Sequence, residues 1–175
     1  MTTHNTPADA ANTAVRAFLT KVGQEYLGRT FNKQQGRGRR DWLRIKDETF
    51  GGQCCYCGET REDLQLEHLL MFNRKECGLH IPGNVAPCCP ACNERSKTSD
   101  KFVDWETHLQ NVCGNRGEAD QFQTRYQRIV DHIEAEGYPA LTNEDWGSIR
   151  AIANALYDNT KIELEKALRR WEERV

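Results

Sequence analysis

The chain has 175 residues, a formal net charge of −2, and 38 % hydrophobic against 29 % charged side chains. That length suits one domain with helical extensions rather than two full ones, and the apolar content excludes wholesale disorder. No apolar run approaches the ~18 residues of a membrane span. The opening Met-Thr-Thr-His-Asn-Thr-Pro also lacks the basic-then-apolar order of a signal peptide, so the expectation is a cytoplasmic protein with no membrane partner.

Residues 1–8 are polar and proline-containing, and a frayed end is expected there. From Asp9 to Leu27, Val15, Phe18, Leu19, Val22 and Tyr26 recur at helical spacing, and Gly28 supplies a stop. Residues 29–46 then carry seven basic side chains (Arg29, Lys33, Arg37, Arg39, Arg40, Arg44, Lys46) against one acid, Asp41. The stretch 32–40 has no apolar residue, which predicts a mobile basic arm, with a short helix after it carrying Trp42, Ile45 and Thr49 on one side. An overall acidic balance does not oppose a nucleic-acid partner, because binding responds to local potential.

Residues 51–100 are dense in Cys, Gly and Pro and show no helical period before Pro90. Helices follow over 102–112, with Phe102, Trp105 and Leu109 on one face, and from Phe122 through Ile133 until Gly137-Tyr-Pro139 stops the pattern. A last helix over 144–174 is capped by Thr142 with Asp145 three residues on. Its stripe, Ile149, Ile152, Ala153, Leu156, Leu164, Leu168 and Trp171, must bury itself on the rest of the chain or on a second copy. The organisation expected is therefore 1–50 N-terminal helices with a basic arm, 51–100 a compact module, and 101–175 a helical region.

Eight cysteines without a secretory signal call for something other than disulfides, and seven of them lie between Cys54 and Cys92. Cys54–Cys57 and Cys89–Cys92 are Cys-x-x-Cys pairs, each able to turn two sulfurs toward one ion at ~2.3 Å. Cys55 and Cys88 compete on paper but give unmatched gaps, so they read as packing thiols, with Cys77 and Cys113 free. Four thiolates make a closed, structural zinc site whose filling is coupled to folding.

Between the knuckles stand Leu66-Glu67-His68-Leu69 and Gly78-Leu-His-Ile-Pro-Gly-Asn84, and after them Cys92-Asn93-Glu-Arg-Ser-Lys97. Over residues 51–98 the chain resembles the HNH endonucleases, the ββα-metal nucleases, with His68, Asn84 and Asn93 at the three motif positions. The resemblance implies an α+β, mostly helical protein with a central zinc-bound, treble-clef-like ββα module between N- and C-terminal helices. It implies DNA as substrate, His68 as the base that activates water, Asn84 holding the loop near it, and a helix after the second knuckle opened by Asn93. Glu67 stands where Asp is commoner.

Phosphodiester hydrolysis needs an activated water and a cation on the developing charge. Neutral imidazole suits the first task, and Glu67 with Asn93 would hold Mg²⁺ or Mn²⁺. Adjacent strand residues face opposite ways, so Glu67 and His68 share a site only at a strand end or bulge. His80 is an auxiliary ligand, a phosphate contact or a turn histidine. Lys97, four residues beyond Asn93, would share its helix face, and Lys97, Arg95, Arg37, Arg39 and Arg40 are the nucleic-acid contacts expected. His4, His108 and His132 have no ligand-like surroundings. The expected activity is a metal-dependent DNA endonuclease, of the restriction, homing or phage type, as monomer or homodimer. The alternative is a noncatalytic zinc module that binds nucleic acid or protein.

Overall fold

The computed structural model describes residues 6–98 and 101–174. His4 and most of the expected frayed end lie outside these residues, but the helix begins earlier than its apolar stripe suggests. Helix α1 spans Pro7–Leu27 because Thr6 Oγ1 accepts from the Asp9 N–H while Asp9 accepts from the Thr6 N–H, a reciprocal cap. Gly28, at φ +66°, ends it with a left-handed residue. The same device, Thr142 with Asp145, opens α5 (Asn143–Glu172).

The buried face of α1, including Val15 and Leu19, packs with Ile149 and Ala153 of α5 and with Leu79 and Ile81 of the loop that follows Cys77. A Cβ on Gly23 would stand 2.9 Å from Ile81 Cγ2, so this packing needs a glycine there. Helix α5 has 30 residues against 21 in α1. Its stripe is buried at Ile149 and Ala153 but exposed at Leu164, Leu168 and Trp171, the last by 65 %.

The basic segment differs from the sequence expectation. It is folded: α2 (Gly36–Leu43) runs directly into a π-helical turn, Arg44–Thr49. Phe31, Trp42 and Ile45 enter the main core. Gly38 lies against the Asn32 backbone so closely that a Cβ would sit 2.2 Å from Asn32 N. Arg29 pairs with Asp41 and Arg44 with Glu136. A window without apolar residues looks mobile along the chain, but here a missing side chain and two ion pairs tie it down.

Strands β1 (Gln65–His68) and β2 (Val85–Cys88) pair antiparallel, with His68 opposite Val85 and Glu67 opposite Ala86. All four residues of β2 are buried, covered in part by α3 (Trp105–Asn115, capped by Asp104) and α4 (Phe122–Glu136). The result is α+β and mostly helical. No α-helix starts directly after the second knuckle, however. A 3₁₀ turn, Pro90–Cys92, gives way to extended chain and to a small hairpin of β3 (Lys97–Thr98) with β4 (Lys101–Phe102). In this irregular stretch the Arg95 side chain is drawn inward beneath β1, against Glu67, Tyr56 and the carbonyls of His68 and Leu69. Among the described residues no helix is long and apolar enough to cross a membrane.

Candidate functional site

The sulfurs of Cys54, Cys57, Cys89 and Cys92 lie within 4.8 Å of one another and all four residues are buried. Thiolates at ~2.3 Å from a tetrahedral ion stand about 3.8 Å apart, the distance found between Cys57 and Cys89. Each knuckle is closed by its own backbone: the Gly58 N–H bonds to Cys54 O at 2.9 Å with Gly58 at φ +72°, and the Cys92 N–H bonds to Cys89 O at 3.1 Å. This cluster could hold a metal such as zinc. The sulfurs also oppose one another as bare thiols: hydrogen bonding from Cys55, Cys88 and Cys92 pulls Cys54 far below the ordinary thiol range, while the bond to Cys54 pushes Cys92 up. A shared cation resolves that conflict.

Cys55 and Cys88 are buried beside the cluster, and Cys77 and Cys113 are buried elsewhere. Two histidines that looked featureless along the chain brace the module. His108 Nε2 stands 2.8 Å from the carbonyl of Cys92, and His132 Nε2 stands 2.8 Å from that of Val85.

Glu67 and His68 point to opposite sides of β1, as strand alternation requires. Glu67 is the inward one. Its Oε1 lies 2.6 Å from Arg95 Nη2 and 3.4 Å from the Tyr56 hydroxyl, which donates to it. Arg95 further donates to the Tyr56 hydroxyl at 2.8 Å and to the carbonyls of His68 and Leu69 at 2.7 and 2.9 Å. Burial pushes the Glu67 carboxyl above its ordinary range against the pull of Arg95.

Three expectations fail at this point. Glu67 is a buried ion-pair partner rather than a cation ligand beside His68. Arg95 is interior rather than a nucleic-acid contact. Asn93 opens no helix; its amide donates to Gln65 Oε1 at 2.8 Å. Lys97 accordingly shares no helix face with it, and lies exposed on β3 with its ammonium over the Phe102 ring. Neither Glu67 nor Asn93 lines the cavity that His68 lines, so this pair does not fit a catalytic Mg²⁺ or Mn²⁺ shared with that imidazole.

His68 faces a cavity of about 450 Å³ lined also by Thr20 and Gln24 of α1, by residues 30–34, and by His80. His68 Nε2 and His80 Nδ1 are 2.9 Å apart. Phe72 stacks on His68 at 4.7 Å between ring centres, and Phe31 sits 5.0 Å from His80. Burial lowers both imidazoles. His68 is held well below its ordinary value with help from His80 and Arg16, and His80 is pushed down to about 4 with help from Lys33. Both shifts favour the uncharged ring.

Asn84, buried to 1 %, organises the loop between them. Its Oδ1 accepts from the Leu70 N–H at 2.7 Å, and its amide donates to Leu70 O and Leu79 O at 2.9 and 2.8 Å. One side chain thus closes the ends of the 70–79 loop and returns His80 to His68. His80 was visible in the sequence as a histidine four residues before Asn84. Its bond to His68 was not, nor the approach of Phe31 and Lys33 from the basic segment.

No family model, curated protein or solved structure matches this chain. What the site can do is therefore read from its own geometry and from the motif in the sequence.

Proposed function

We propose that the protein is a zinc-stapled DNA endonuclease of the HNH type, hydrolysing phosphodiester bonds with His68 as the base. The observation that carries the reading is the pair of hydrogen-bonded imidazoles at one wall of an open cavity that Lys33 also lines. His108 and His132, by contrast, each bond a backbone carbonyl and line no such cavity with a second histidine. In the reaction, Nδ1 of His68 takes a proton from the attacking water. Lys33, at the cavity wall, meets the charge of the phosphate. Asn84 keeps both histidine-bearing segments in place. The zinc holds the hairpin that carries His68, its four thiolates leaving no position open for substrate.

Plasmid nicking, with Mg²⁺ or Mn²⁺ and with chelator, tests the reading. His68→Ala is expected to lower cleavage by about 10²- to 10⁴-fold, the usual contribution of a general base; unchanged cleavage overturns the assignment. The exposed Arg37, Arg39 and Arg40 on α2 supply backbone contacts. Their joint replacement by Ala should weaken DNA binding and reduce the slope of log K against log salt by up to about 0.9 for each phosphate left without its cation. An unaltered slope removes α2 from the interface. One such site cuts one strand, and the exposed Leu164, Leu168 and Trp171 of α5 offer a seam for a second copy in double-strand cleavage.

A noncatalytic zinc module that binds nucleic acid or protein is the second reading. The separation of Glu67 and Asn93 from His68 favours it. It expects DNA binding without cleavage under every metal condition.

A further inference from the structure

The two histidines bond to each other through one nitrogen apiece, Nε2 of His68 and Nδ1 of His80. Among the described residues nothing hydrogen-bonds the remaining nitrogens, Nδ1 of His68 and Nε2 of His80. Neither is enclosed: the buried side-chain nitrogens and oxygens without a hydrogen-bond partner belong to Arg29, Asp41, Arg95 and His132. Both rings line the same cavity.

A neutral imidazole carries one N–H and one lone pair. When the shared proton sits on His68 Nε2, His68 offers a bare Nδ1 and His80 offers an outer Nε2–H. When it sits on His80 Nδ1, the roles exchange. In either arrangement the pair presents one base and one acid to the cavity, and neither ring needs to be charged.

We propose that His68 and His80 form a proton relay, in which His80 is a catalytic residue that protonates the leaving oxygen while His68 deprotonates the attacking water. This rests on the phosphodiesterase reading above. The water O–H bond breaks toward His68 Nδ1 as the new P–O bond forms. The His68 Nε2 proton passes to His80 Nδ1. The His80 Nε2 proton passes to the leaving oxygen as its bond to phosphorus breaks. Both rings end neutral in the opposite tautomer, and exchange with solvent at the two outer nitrogens resets them.

The charged groups acting on the pair are Arg16 from α1, Lys33 from the 30–34 segment and Arg95 from behind β1. All are cationic, so they keep the rings uncharged and would draw in an anionic phosphate. The walls supplied by Phe72 and Phe31 hold the rings in place.

The full-length protein is assayed on supercoiled plasmid and on bis(4-nitrophenyl) phosphate, whose leaving group departs as a stable anion and needs no acid. His80→Gln, which keeps a hydrogen-bonding side chain but cannot relay, should lose about 10²- to 10⁴-fold in kcat on DNA, with KM little changed. It should lose less than about tenfold on the nitrophenyl diester. His68→Ala should lose activity on both substrates. An equal loss by His80→Gln on both overturns the relay and leaves the nuclease reading standing; a wild-type protein inactive on both overturns the two together. Nitrogen-15 NMR adds a readout independent of turnover. At pH 7 each ring should show one protonated and one bare nitrogen, and a doubly protonated ring overturns the relay.

Discussion

With zinc held in the four-cysteine cluster as proposed, its removal is expected to unfold residues 51–93 and to loosen the helices packed on them. The cluster lies within the main core, which joins Tyr56, Phe50 and Val85 to Trp105, Leu109 and Ile129. That core is the common support of β1, β2, α3 and α4. Structural zinc in small domains contributes on the order of 10–16 kcal/mol of binding free energy at pH 7, against ~5–15 kcal/mol of stability for a whole domain. Losing it leaves little margin. Cys89→Ser, or treatment with a strong chelator, should abolish the cooperative urea transition read by near-ultraviolet circular dichroism. Cobalt in place of zinc should give sulfur-to-metal charge-transfer absorption that disappears in Cys89→Ser. Cys55→Ser and Cys88→Ser, changing thiols outside the ligand set, should keep that absorption. A Cys89→Ser protein that unfolds at the wild-type urea midpoint would remove the metal from the fold.

Replacing Arg95 by methionine should cost about 3–5 kcal/mol, the range found when one partner of a buried ion pair is removed. The guanidinium holds Glu67, the Tyr56 hydroxyl and two carbonyls of the chain at and just after the end of β1. Without it, a carboxyl that burial already pushes up has no cation beside it. A carboxyl raised in the folded state favours folding at low pH and opposes it as pH rises through that raised value. The deficit of Arg95→Met should therefore be larger at pH 8 than at pH 5. Urea midpoints at the two pH values measure it, and a deficit that does not change with pH contradicts an uncompensated Glu67. Replacing both residues, Glu67→Leu with Arg95→Met, should recover part of the loss, since no buried charge is then left unpaired. Under the proposed nuclease reading the single variant should also slow DNA cleavage, because Arg95 holds the carbonyl of His68, the proposed base.

Tyr56 lies between the two cysteines of the first knuckle and touches this same arginine. A path of direct contacts therefore runs from the four-cysteine cluster through Tyr56 and Arg95 to the backbone of His68. Disturbing the knuckle should disturb the imidazole even where the fold survives.

The helix ends at Gly28 and Thr142, the two Cys-x-x-Cys knuckles and the opposed directions of Glu67 and His68 were legible in the chain because each depends on residues within a few positions of one another. The capping hydroxyl meets a backbone N–H three residues away, and the strand alternates regardless of its surroundings. Which side of β1 became the interior depended on Arg95, a residue far along the chain that read as a surface cation. Residues 32–40 looked mobile because that stretch lacks apolar residues. The close approach of Gly38 to Asn32, and the reach of Asp41 and Glu136 to Arg29 and Arg44, are contacts that composition does not record.

Local chemistry thus determined where helices begin, which sulfurs can meet and that the Glu-His doublet splits between two faces. The assembly of the candidate site was decided only in three dimensions. His80 reaches His68 because Asn84 ties together the two ends of the 70–79 loop, and Lys33 reaches the same cavity because the segment before α2 folds back beside α1. Contacts between distant segments depend on the closure of the whole core, and spacing along a chain carries no information about that closure.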